Sequence, residues 1–339
     1  MRLSWQRFFA LLHARNIEFI RDRAALSWNL LFPVLMMVGF AFIFSQEEQP
    51  LFKVGVYDSA GVGHPFLQSH YLQFIPIAND SELATAVTKV ERHQLDLLLA
   101  LDAPPRYWIN SSSAAGYVTE QMLRASDAVM PQRQLVSGDE VRYVDWLVPG
   151  VLGMNMMFSA LYGIGFVLVR YRKNGVLKRF HATPVTSLEF ITAQICSRLL
   201  LIVVSAIMVY LLCDLLLNFA MYGSYLALFC VLLVGGFNLI ALGLIIAARL
   251  RSDEVANGLI NLLTMPMMVL SGVWFSLEGS PAWLIALADL LPLTHIVTAA
   301  RLVMIDGAGV TTIMPQLATL TVMGLLFLLI GTLLFRWDD

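Results

Sequence analysis

The sequence predicts an α-helical polytopic membrane protein: six transmembrane helices, an N-terminal amphipathic interfacial helix, and a small extracytoplasmic α/β domain between spans one and two. Three observations carry that prediction. Of the 339 residues, 58% are hydrophobic and only 14% charged, where soluble domains run at roughly 45–50% and about 25%; mean hydropathy is +0.72. Six stretches have the roughly 20 apolar residues that a span needs. Lys and Arg gather in alternate connections between them. The net charge of −2 gives no sign of nucleic-acid binding. Cys196, Cys213 and Cys230 sit in apolar runs with no partner at metal spacing, so neither a zinc site nor a disulfide framework is expected.

Residues 1–23 read as a cytoplasmic amphipathic helix. Trp5, Phe8, Phe9, Leu12, Phe19 and Ile20 fall near one helical face, and Arg7 and Arg15 lie off it. Residues 24–45 form the first span. The core is about 20 residues long, bulky, and preceded by Glu18 and Asp22, which suits an uncleaved anchor rather than a signal peptide.

Residues 46–145 carry 13 acidic and 7 basic residues and read as the outer α/β domain. Phe52–Tyr57, Asp96–Leu101 and Arg106–Asn110 have strand character. Ser81 is positioned to cap a helix over Glu82–His93, and Ser112–Val129 has helical content. His64, His70 and His93 share no spacing and read as surface residues.

The second span is 146–169, the third 190–213, the fourth 224–248, the fifth 255–277 and the sixth 313–335. Residues 278–312 are apolar but contain Asp289, Pro292, His295 and Arg301. Four such residues make a full crossing costly, so the segment reads as short outer re-entrant helices. Arg170, Arg172, Lys173, Lys178 and Arg179 follow span two, and Arg249 and Arg251 follow span four, while the loop after span three has no Lys or Arg. Both termini are therefore expected in the cytoplasm.

No G-x-x-x-x-G-K-[ST] phosphate loop occurs, and no hydrolase constellation appears in the spans. The chain is not expected to be an enzyme or to bind a cofactor. The most informative connection is 170–189, a basic helix–break–helix. Leu177, Phe180 and Val185 read as apolar anchors, Thr183-Pro184 as the break, and Ser187 as a cap for the next helix. Such a stiff element suits docking to a soluble partner. Among polar residues within spans, Asn155 and Asn238 read as interhelical hydrogen-bonders and Arg198 as a side chain snorkelling to the cytoplasmic interface. Asn257, Asn261, Thr264 and Met268 recur at spacings of 4, 3 and 4, one helical face, and mark a candidate pathway or dimer interface.

The 170–189 segment resembles the coupling-helix region of ABC transporter permeases of the ABC-2 type. It keeps Gly175, Leu177, Arg179, Thr183, Pro184, Val185 and Glu189. It departs at Lys173-Asn174, where the family often has an acidic residue, and at Lys178, in place of Glu. Arg21, Asp22 and Arg23, followed by Phe32-Pro33, are similar to the family's connecting helix and first span. Leu270–Phe275, then Pro292, Thr294, His295 and Arg301, are similar to its fifth-span end and outer re-entrant helices.

That resemblance implies an exporter subunit in the bacterial inner membrane, moving a hydrophobic or amphipathic compound such as a drug or lipid-like molecule. It implies a separate ABC-type ATP-binding subunit that carries ATP and Mg, a second permease (identical or a sister chain), a periplasmic adaptor and membrane lipids as partners. An ion-coupled secondary transporter and a membrane-anchored ligand-binding scaffold are the competing readings. Both are disfavoured: ionisable mid-membrane groups and repeats are missing, and one or two spans suffice for a scaffold.

Overall fold

In lipid a main chain must pair its own amides and carbonyls, and along continuous apolar runs the helix does so within the segment. The computed structural model describes residues 5–22, 27, 30–38, 52–57, 65–69, 72–102, 104–126, 131–138, 141–219, 221–250, 252–277 and 281–334. These divide into two units, one built on residues 44–143 with 278–281, the other on the remainder.

The smaller unit holds a five-stranded sheet in the order β2-β1-β3-β4-β5. Its strands are β1 (Phe52–Tyr57), β2 (Leu72–Ile77), β3 (Leu97–Ala100), β4 (Arg106–Asn110) and β5 (Gln132–Val136). β1 runs parallel to β2 and β3, β4 is antiparallel to β3, and β5 is parallel to β4. Alternation sorts the side chains between two faces. Val54, Val56, Leu97, Leu99, Tyr107 and Ile109 pack with Phe66 and Leu123. Leu98, Leu95 and Ile77 pack with Ala86 and Val90 on the other face. Gly55 makes room there, since a Cβ would lie 2.9 Å from Leu98 Cδ1 and 3.0 Å from Ile77 Cδ1. The two covering helices are α2 (Asp80–Glu91) and α3 (Ala114–Ser126). Asn79, rather than Ser81, stands at the N-cap of α2.

Among the described residues of this unit, Glu120 is the buried charge. The Glu120 side chain is 1% exposed and accepts from the Tyr107 hydroxyl at 2.7 Å, Arg124 at 2.8 Å and Arg133 at 3.0 Å. Burial pushes its carboxyl up, but the hydrogen bonds from Tyr107 and Arg124 and the Arg133 charge outweigh that and hold it below the ordinary carboxylate range.

The larger unit is helical. Its first helix, α1 (Trp5–Arg21), packs along α6 (Ser187–Leu217). Trp5, Phe9 and Ile20 remain exposed, while Arg15, expected on the polar face, is buried. Residues 30–38 are helical; most of the predicted first span lies outside the described residues. α4 runs over Tyr143–Lys173, followed by α5 (Val176–His181), α7 (Tyr225–Ala247), α8 (Asp253–Leu270), α9 (Ala282–Asp289), α10 (Pro292–Met304) and α11 (Met314–Leu334).

Four of these, α4, α6, α7 and α11, are long and apolar enough to cross a membrane, and α9 with α10, bent by 95°, would make a fifth. α8 has Asp253 and Glu254 in its first turn and Pro266 inside, and it ends at Leu270, short of the Leu277 expected for the fifth span. α7 lies at the centre, touching α4, α6, α10 and α11. Small residues let it approach α4 closely: a Cβ on Gly165 would lie 3.4 Å from the Gly243 carbonyl.

Candidate functional site

The 170–189 segment is a short helix held between two long ones. α4 closes with Asn174 and Gly175, whose amides donate to the Arg170 and Arg172 carbonyls at 3.0 and 3.1 Å. Gly175 has φ +67°, the left-handed region that glycine enters at least cost. It turns the chain into α5. Thr183 Oγ1 then donates to the Phe180 carbonyl at 2.6 Å, and Pro184 ends the turn.

α6 opens on a reciprocal cap. The Thr186 side chain accepts from the Glu189 amide at 3.3 Å, and Glu189 accepts from the Thr186 amide at 2.9 Å. Thr186, rather than Ser187, is therefore the capping residue. The spacing of Thr186 and Glu189 is the sequence signal that identifies it.

Two basic residues of this segment are spent internally. Arg172 is buried, and its guanidinium donates to the Ala247, Leu250 and Ala248 carbonyls at 2.7, 2.7 and 2.9 Å. It closes the C-terminus of α7, whose last carbonyls have no helical partner. Lys173 Nζ lies 2.7 Å from Asp253 Oδ2 and ties the end of α4 to the start of α8. No motif marks either role in the sequence.

The expected apolar anchors divide. Leu177 is 1% exposed, and the Phe180 ring lies 5.4 Å from that of Phe190, so both serve the segment's own packing. Val185 is half-buried. The exposed surface includes Lys178, Arg179, Thr183, Pro184 and Leu188. α1 reaches this surface, where Arg7 Nη1 donates to the Pro184 carbonyl. Arg21 and Asp22 are exposed at its end, and Arg23 lies outside the described residues.

The face predicted on α8 also divides. The Tyr162 hydroxyl on α4 lies 2.9 Å from Asn261 Oδ1 and 3.1 Å from Asn257 Oδ1. A phenol has one proton, so it donates to one amide and accepts from the other when that amide is turned about. Thr264 is buried and bonded to its own helix, and Met268 is half-buried. Tyr162 is thus the residue that joins this pair, flanked one turn away by Phe158 and Phe166 at ring distances of 6.3 and 6.4 Å. Asn238 donates across helices to the Leu320 carbonyl at 2.8 Å. Arg198 does not snorkel. It is 6% exposed and turns inward to the Ser159 carbonyl.

At the far end of α8, Pro292 starts α10 after the 95° bend. Thr294 Oγ1 donates to the Ala288 carbonyl at 2.6 Å and lies 3.1 Å from Ser271 Oγ. A His295 ring nitrogen lies 2.8 Å from the Asp289 carbonyl. Arg301 stands 3.5 Å over the Trp146 ring and donates to the Gly272 carbonyl at 2.6 Å. These contacts pin the bent pair to the ends of α4 and α8.

Comparison with known proteins identifies the family. The family model for the ABC-2 type transporter matches residues 107–305. The inner membrane transport permease YhhJ of Escherichia coli (strain K12) is 28% identical over 183 residues, 54% of this chain and 49% of its own. The daunorubicin resistance ABC transporter permease protein DrrB1 of Streptomyces coeruleorubidus is 27% identical over 171 residues, 49% and 59% of the two chains. The ABC transporter G family member 20 of Dictyostelium discoideum is 25% identical over 168 residues, 50% of this chain and 23% of its own. The chain spans about half the length of YhhJ. With a model match that covers more than half of its residues, the chain belongs to the ABC-2 type transporter family.

Proposed function

We propose that this chain is the membrane subunit of an ATP-driven exporter for a hydrophobic or amphipathic compound, a drug or lipid-like molecule. In this reading six spans cross the bacterial inner membrane, with both termini in the cytoplasm. The five-stranded unit lies outside, and 278–312 re-enters from that side. ATP and Mg act on a separate ABC-type subunit docked against 170–189. A second permease, identical or a sister chain, faces the Asn257/Asn261 surface and completes the pathway, and a periplasmic adaptor can extend it.

One observation carries the reading. The 170–189 segment is anchored at both ends yet keeps an outward face. Arg172 and Lys173 hold its entry, the Thr186–Glu189 cap holds its exit, and Leu177 packs beneath. A push on Pro184 or Leu188 therefore reaches α4, α6 and α8 together. The basic connections support the assigned orientation, and the DrrB1 relative's name supports export of a drug-like compound.

The test is purification of the tagged chain in mild detergent with mass spectrometry of what accompanies it. An ATP-binding subunit should appear at about one per permease. Leu188→Asp, at a side chain 59% exposed, should leave the permease monodisperse and remove that subunit. Recovery of the subunit at wild-type yield with Leu188→Asp would refute docking at this surface.

A further inference from the structure

α4 is interrupted by a π-turn over Leu161–Phe166. A π-turn carries one more residue than the α-helix on either side allows, and so offsets carbonyls from their i+4 donors. Two buried arginines meet it. Arg198, from α6, donates through Nε to the Ser159 carbonyl at 2.6 Å, with Nη2 to the same carbonyl and to Ser159 Oγ at 3.1 Å. Arg15, from α1, donates through Nη2 to the Gly163 carbonyl at 3.0 Å. Its Nη1 reaches the Tyr171 hydroxyl at 2.9 Å and Glu18 at 2.8 Å, and Tyr171 also bonds Glu18. Ser197 donates to Asn16 at 2.5 Å. Gly163 is a matter of space: a Cβ there would fall within the Arg198 guanidinium.

Placing two cations out of water is costly, and the main-chain carbonyls at and beside the π-turn are the acceptors that offset it. The residue inside the turn next to Gly163 is Tyr162, which faces Asn257 and Asn261. Relaxing the turn to α register would rotate the two parts of α4 relative to each other by up to about 100° and 1.5 Å of rise. A turn that relaxed in this way would give α4 two discrete arrangements, the kind of element through which separate sites couple.

We infer that Arg15 and Arg198 are positioning residues that hold the π-turn open, so that the N-terminal helix sets where Tyr162 stands on the Asn257/Asn261 face. The inference rests on the proposed reading of that face as pathway or subunit interface. α1 touches the docking segment through Arg7 and Pro184 at one end and the π-turn through Arg15 further along. Motion of the docked ATPase thus reaches Tyr162 by a route separate from α5.

The experiment uses the intact complex with its co-purified ATPase in nanodiscs. Cys196, Cys213 and Cys230 are replaced by Ala, and Gly258→Cys serves as reporter. Gly258 is exposed on α8, with open space where the side chain goes. Maleimide labelling is timed with and without ATP and vanadate, alongside hydrogen exchange of peptides over 158–170.

The parent should change its labelling rate at least about fivefold with nucleotide. Arg15→Gln and Arg198→Gln should hold that change under about twofold while exchange in 158–170 rises. Arg15→Lys, which still reaches one carbonyl, should recover part of the response. Tyr171→Phe, the mildest change, should halve it with the fold intact. Full nucleotide response in Arg15→Gln, even with faster exchange, overturns the inference and leaves the cluster a packing feature. A parent that carries its ATPase but shows no response overturns the pathway reading and this inference with it. That failure is distinguishable because it appears before any arginine is changed.

Discussion

Replacing Arg172 by Met should unfasten the end of α7 while leaving the rest of the bundle in place. The Arg172 guanidinium serves three main-chain carbonyls, those of Ala247, Ala248 and Leu250, at 2.7–2.9 Å. Hydrogen bonds to a charged group contribute about 1.5–3 kcal/mol each, and buried acceptors left bare cost about as much again. The three share one side chain and do not add, and Leu250 is only partly buried. About 3 kcal/mol for the local closing equilibrium is the appropriate figure. At 1.4 kcal/mol per factor of ten, amides over 244–252 should exchange about 100-fold faster in Arg172→Met. The core of α7 around Leu239 and Ile240, fully buried, should change little. Arg172→Lys should recover under half of the protection, since an ammonium cannot reach three carbonyls in the plane that the guanidinium spans. The assay is hydrogen exchange with mass spectrometry on the detergent-solubilised chain. A change under about fivefold over 244–252 would refute the capping argument and return Arg172 to a purely topological role.

Two further outcomes follow from the same reasoning. Glu120→Gln should destabilise the sheet unit by about 1–2 kcal/mol. The upper range for a broken buried pair does not apply, because Arg124 and Arg133 are 47% and 43% exposed and recover water. Because the folded Glu120 carboxyl lies below its usual range, its contribution is present above the unfolded pKa and is lost as pH falls through the folded value. Exchange protection over 106–124 should therefore drop on acidification more steeply in wild type than in Glu120→Gln; equal slopes would refute that role. Gly175→Ala should cost about 1 kcal/mol through the left-handed backbone alone, since no atom lies within 4 Å of the added Cβ. Faster proteolysis over 174–183 reads this, and Gly175→Asn should sit between the two.

Much of the helical unit is legible because hydrophobic runs leave little choice. The expected limits 190–213 and 224–248 fall close to Leu188–Leu217 and Tyr225–Ala247. The sheet is legible only where its strands are buried. β1 alternates and β3 is a continuous apolar run, but β2 and β5 lie at the two edges. An edge strand need not donate on its outer side, so β2 tolerates Pro76, a residue that argues against a strand in sequence. β5 is exposed on both faces, and Gln132, Arg133 and Gln134 carry no apolar period. The Asn257–Asn261 pair is visible as a helical repeat, yet Thr264 and Met268 continue the count without joining the Tyr162 contact, and Tyr162, the residue that joins the pair, belongs to another helix. Leu177 shows the limit most directly. An apolar residue in a basic loop signals an anchor, but only the fold decides whether it anchors to a partner or to its own helix.

The arginines are where sequence reasoning and structure differ in kind. Counted as charges, Arg15, Arg172 and Arg198 give topology or an interface. In the folded chain each is spent on main-chain carbonyls: Gly163 for Arg15, the end of α7 for Arg172, Ser159 for Arg198. Arg301 does the same at Gly272. Every one of those carbonyls lies where a helix ends or changes register. Lipid offers no water to such groups, and a guanidinium, with five donors in one plane, satisfies more of them per buried charge than any other side chain. Hydropathy cannot reveal this, because the acceptors are backbone atoms common to all residues and only the break in the helix makes them available. A membrane chain that bends its helices for function needs donors at the bends. In this chain, buried arginines therefore mark the helix ends and the π-turn that hydropathy passes over.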